Sequence, residues 1–186
     1  MHHDQKKVYA LAGVFGGIAI GGAFVLGSVL AAATGIPLMP AVVNGFWVGL
    51  VMAACSGFLD GCRWTGTAMM FVYGVAATFT VLLGPPGWHK IPIALCMGFV
   101  WDLCLLKSKN TVMYLIGSLL FMVVGFSLLM MAFWLQKSPA FDKMVTVLPV
   151  VVTISVVTMG IGSLVGKSVG NRLAKLPAAR RVIGKD

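Results

Sequence analysis

The stretch VYALAGVFGGIAIGGAFVLGSVLAAA, residues 8–33, decides the fold. It holds no charged residue, and about 20 apolar residues suffice to carry a helix across a bilayer. It is too long for the apolar core of a signal peptide, which runs about 7–15 residues. It therefore reads as a retained membrane helix behind a short polar head, MHHDQKK, with His2 and His3 in solvent. Small residues recur along it every four positions. One ladder is Gly13, Gly17 and Gly21, and the other is Ala19, Ala23, Gly27 and Ala31. Small side chains at this spacing let two backbones approach closely in lipid. The partner is either this chain's own bundle or a second membrane protein, and the sequence leaves both open.

The rest of the chain repeats the pattern. Of 186 residues, 59% are hydrophobic and 10% charged, against about 25% charged in soluble domains. The mean hydropathy is +0.98. Six apolar runs, 8–33, 41–59, 67–83, 91–106, 111–135 and 144–166, predict a single all-α integral membrane domain over residues 1–186. A basic tail, 167–186, follows.

A net charge of +9 ordinarily suggests nucleic-acid binding, but the basic residues cluster at both ends and in alternate loops, which membrane topology explains more simply. With a cytoplasmic N-terminus, eleven of the Lys and Arg residues fall inside and three, Lys90, Lys137 and Lys143, fall outside. The positive-inside rule then places both termini in the cytoplasm of a cell-membrane protein. Each outer loop contains proline: TGIPLMP (34–40), GPPGWHK (84–90) and QKSPAFDK (136–143). Proline fixes φ and stiffens a turn, so the outer face carries rigid loops.

Catalysis and metal binding find little support. Cys55, Cys62, Cys96 and Cys104 form no C-x-x-C pair and sit in or beside apolar runs, where cysteine behaves as a small hydrophobe. His89 is the one histidine away from the N-terminus, and there is no glutamate. The stretch GIGSLVGKS, 160–168, has the wrong glycine spacing for a phosphate-binding loop and follows a membrane helix instead of a strand. Gly162 and Gly166 are expected to serve packing, with Lys167 snorkelling at the interface. Asp102 lies within the fourth run, where an ionisable residue is a functional hypothesis by default. Its depth and its distance from Lys107 favour an ion pair or a cap. Neither a cofactor nor an enzyme activity is expected.

The remaining polar and aromatic groups gather on the outer side: Asn44, Trp88, His89, Lys90, Trp134 and Gln136. Rigid loops carrying such groups on one face predict a pocket for a small molecule.

Together these features resemble the substrate-binding S components of energy-coupling factor (ECF) vitamin transporters. The six-span layout, the A-x-x-x-A of Ala19-Ile-Gly-Gly-Ala23, the spaced prolines of GIPLMPAVVNG and the stretch GPPGWHKIPIALCMGFVWDL carry the likeness. The resemblance implies a high-affinity subunit that binds a vitamin-like molecule or precursor on the outer side. It also implies a membrane coupling protein and two cytoplasmic ATPases as partners, with Ala19 and Ala23 at the coupling surface beside Gly13 and Gly17. The sparse polarity of MVTVLPVVVTISVVT (144–158) departs from the family pattern and favours a mostly apolar or aromatic ligand. Two other readings compete: an ATP-independent carrier or channel, and a structural subunit of a larger membrane complex.

Overall fold

The computed structural model describes residues 5–35, 39–60, 62–80, 86–137 and 140–177. Among them are six helices: α1 (Gln5–Thr34), α2 (Met39–Phe58), α3 (Thr65–Ala77), α4 (Lys90–Lys107), α5 (Thr111–Leu135) and α6 (Ala140–Leu173). Helices α1, α2, α5 and α6 are long and apolar enough to cross a membrane. Helix α3 has 13 residues, about 20 Å of length. Helix α4 carries Lys90, Asp102 and Lys107 within 18 residues. The chain is thus a multi-pass, all-α membrane protein with four clear spans and one shorter, charge-bearing helix pair.

Two boundaries differ from the sequence expectation for physical reasons. The third apolar run extends to residue 83, yet α3 stops at Ala77, where Thr78 to Thr80 fold into turns. The last helix runs on to Leu173, past residue 166. Hydropathy marks the bilayer, and a polar helical stretch without a breaker simply continues beyond it.

Consecutive helices alternate in direction. One end of the bundle gathers the loops with Arg63 and Lys109 and the end of α6; this is the basic end. The other end, where α1, α3 and α5 stop and α2, α4 and α6 start, is named the proline-loop end after the prolines in its connecting sequences. Helices α2 and α6 make the most extensive contact, followed by α3 with α4. Helix α5 bridges α4 and α6, and α1 lies against α2 and α3.

The α2–α6 seam is a parallel, backbone-to-backbone contact. Gly162, Gly166 and Gly170 of α6 stand against the carbonyls of Phe46, Leu50 and Ala54 of α2. Both series advance by four residues, so the register is locked along the seam. From the α2 side, Gly45 and Gly49 stand against Ser155, Thr158 and Met159. The packing role expected for Gly162 and Gly166 is therefore borne out. A buried hydroxyl pair ties α5 into the seam, with Ser118 Oγ and Ser163 Oγ 2.8 Å apart.

Trp101 of α4 fills the centre with no exposed surface. Its indole N–H donates to Ser56 Oγ of α2 at 3.0 Å. Its ring meets Tyr114 and Phe121 of α5 edge-on, and Gly117 makes room for it. The outer surface is apolar, with Val14, Val25 and Val29 of α1, Leu119 of α5 and Val157 and Ile161 of α6 exposed. Lipid tails satisfy such a band, whereas water leaves it an aggregating patch.

Candidate functional site

Helix α3 is too short to bring both its ends to water across a core of about 30 Å. A helix end leaves N–H or C=O groups without partners, and each costs several kcal/mol in hydrocarbon. Helix α4 supplies the answer at both ends. At the N-terminus of α3, Asp102 Oδ1 accepts from the Gly66 N–H at 3.0 Å. Asp102 Oδ2 accepts from the Thr67 N–H and the Thr67 hydroxyl, both at 2.7 Å. At the C-terminus, Lys90 Nζ donates to the carbonyls of Ala77 at 3.0 Å and Thr80 at 2.6 Å. Anion sits at the positive end and cation at the negative end, as the helix dipole favours. Glycines at 66, 74 and 98 let the two helices come close enough for this.

The capping reading of Asp102 is thus the one the structure supports, and the cap acts on the start of α3. Lys90 differs from expectation. Its side chain is buried and held by carbonyls of the fold, because α3 ends early and leaves those carbonyls needing a donor.

The other candidates at the proline-loop end fall into separate places. His89 and Gln136 meet: Gln136 Nε2 lies 3.3 Å from His89 Nδ1, joining the start of α4 to the end of α5. His89 Nε2 is buried and has no partner among the described residues. Burial lowers the imidazole below its ordinary pKa, and the neighbouring Lys90 ammonium lowers it further. The ring is therefore neutral at pH 7, a hydrogen-bonding group and not a charge. Trp88 and Trp134 are 76% and 64% exposed. Asn44 is engaged elsewhere, accepting from the Tyr73 hydroxyl at 3.3 Å.

The two ladders of α1 separate cleanly. Ala19 and Ala23 are fully packed inside the chain's own core, with exposures of 0% and 1%. This differs from their expected place at a coupling surface: α1 turns this ladder inward so that it can lie close to α2. Gly13 is half-buried near Val72, while Gly17 and Gly21 face outward with open space beyond them.

At the basic end lies a feature the sequence reading missed. A cleft of about 330 Å³ opens between the α2–α3 and α4–α5 loops. Arg63, Trp64, Asp102, Leu106 and Lys109 are among its lining residues. Lys109 Nζ bonds the Asp60 carboxylate at 2.9 Å and the Ser56 carbonyl at 3.0 Å. The charges of DGCRWTG and KSKN were visible in the sequence, but each loop reads as an ordinary inner turn. Only the fold brings them face to face.

Among the described residues no group of His, Cys, Asp and Glu is placed to hold a metal ion. No protein-family model, curated protein or solved structure matches the chain.

Proposed function

We propose that this chain is the solute-binding membrane subunit of an ATP-driven importer of the ECF type, holding a small vitamin-like molecule or precursor at its outer end. In this reading the proline-loop end faces out, both termini are cytoplasmic, and α3 and α4 complete six crossings. The buried charges of α4 are both taken up by the ends of α3, so the pair tolerates membrane depth. The observation that carries the reading is the His89–Gln136 contact. Two polar side chains capping different helices meet, close in sequence to the exposed Trp88 and Trp134, and a buried imidazole nitrogen is left without a partner among the described residues. With Lys90 engaged in the fold and His89 neutral, the site suits an apolar or aromatic molecule with one hydrogen-bonding group better than an anion. Transport energy comes from separate ATPases in this scheme, because the G-K-S stretch of α6 is a helix packed on α2.

Mass spectrometry of small molecules co-purifying with the full chain tests the reading. A single ligand retained by the wild type and lost on joint His89→Ala and Gln136→Ala substitution is expected. A ligand kept by the double variant removes the site, and a purified chain that takes up no candidate solute removes the function.

A second reading rests on α1. The outward Gly17–Gly21 edge is an opening for a neighbouring membrane helix, which suits a structural subunit. In that case the isolated chain binds no solute but is pulled down with a membrane partner.

A further inference from the structure

The cleft at the basic end is not used by the solute-binding reading, and its lining has a distinct chemistry. Its two carboxylates are already committed. Asp102 directs both oxygens at α3, and Asp60 is paired with Lys109. Arg63 is exposed at the cleft and makes no hydrogen bond or ion pair among the described residues. The Lys109 ammonium has three donors, two of them used on Asp60 and Ser56. The donors left over, on Arg63 and Lys109, line the same cleft and suit an anion.

The cleft also continues into an apolar track. Phe99, Leu103 and Leu106 of α4 are spaced i, i+4 and i+7, and so share one helix face. They are 46%, 45% and 47% exposed. Leu106 belongs to both the track and the cleft wall. Trp64, another wall residue, stacks on Phe99 with centroids 5.3 Å apart and planes within 2°. Its backbone is left-handed, with φ 61°, a costly conformation for a bulky residue that surrounding structure must hold in place. Tryptophan is a residue enriched at membrane interfaces.

We infer that an anionic phospholipid docks here, with its phosphate between Arg63 and Lys109 and an acyl chain along Phe99, Leu103 and Leu106. The cleft holds the volume of roughly ten waters, enough for a headgroup and too little for the tails, which the track receives. A soluble organic phosphate satisfies the cations equally well but leaves the track unused. Arginine supplies bidentate phosphate recognition.

The test is native mass spectrometry of the full chain in detergent, titrated with phosphatidylglycerol. The wild type is expected to carry one tightly held lipid. Arg63→Gln weakens it about tenfold, the loss of one charge-assisted contact, while Arg63→Lys stays nearer the wild type. Leu106→Ser, which leaves both cations in place, also weakens it. Glycerol phosphate at equal concentration displaces nothing. Unchanged lipid binding in Arg63→Gln overturns the proposal, and so does displacement by glycerol phosphate, which assigns the cleft to a soluble ligand. Should Arg63→Gln fail to fold, full lipid retention by Leu106→Ser overturns it instead.

Discussion

Lys90 and Asp102 stand a little over three turns apart on α4 and close opposite ends of α3. Their separation along α4 is about 18 Å, close to the length of the helix they cap. At about 18 Å along the helix the two side chains do not meet. Each charge is compensated by the dipole end and the open backbone groups of α3. A helix too short for the membrane is made complete by its antiparallel neighbour.

Removing the carboxylate should hurt more than removing the ammonium. Asp102→Ala leaves the Gly66 and Thr67 N–H groups without acceptors, and a loss of about 2–4 kcal/mol is expected. Lys90→Met keeps the stem and drops the charge. Because the Ala77 carbonyl also accepts from the Thr80 N–H, its expected loss is smaller, about 1–2 kcal/mol. Thermal unfolding in detergent measures both. The two ends are about 18 Å apart, so the double variant should show near-additive losses.

Glycines on the two faces should respond oppositely. A Cβ at Gly166 drives into the Leu50 carbonyl, and Gly166→Ala is expected to cost about 2 kcal/mol or more through overpacking. A Cβ at Gly21 meets nothing within 4 Å, so Gly21→Ala should leave stability unchanged or raise it by up to about 1 kcal/mol from helix propensity. Equal effects at both positions refute the seam register.

Acid should weaken the proline-loop end through His89. Its folded pKa lies below the unfolded value of about 6.5, so the unfolded chain takes up the proton first. The stabilising contribution is whole above that value and is lost as pH falls through the folded pKa. Melting temperature should therefore drop on acidification from pH 7 to 5. The slope should flatten in His89→Gln, which keeps a hydrogen-bonding group without titrating.

Trp101→Phe should test the centre. The phenyl ring keeps most of the packing on Tyr114 and Phe121 but loses the bond to Ser56. About 1–3 kcal/mol of destabilisation is expected, reduced when Ser56→Ala is added, because no hydroxyl then lacks its donor.

Much of this architecture was legible because hydropathy reports the bilayer directly. The fifth run matches α5 over the same residues, 111–135, since Asn110 caps its start by accepting from the Met113 N–H. What was not legible depends on neighbours. Two ladders of small residues on α1 are equivalent in sequence, and only the position of α2 turns Ala19 and Ala23 inward. Lys90 reads as a free outer cation because nothing local announces that α3 ends at Ala77. The basic-end cleft joins residues more than forty positions apart, Arg63 and Lys109, beyond any local pattern.

The seam between α2 and α6 bears on how the chain is made. Helix α2 emerges from the ribosome long before the glycines of α6 that fit its carbonyls. Until α6 is present, Gly45 and Gly49 lack the backbone they pack against in the finished fold, so the early helices form an unfinished half. Native topology is completed only when α6 inserts alongside. The same geometry makes the covalent link dispensable in principle: two co-expressed fragments, divided between α3 and α4, carry complementary halves of one interface and should assemble in the membrane.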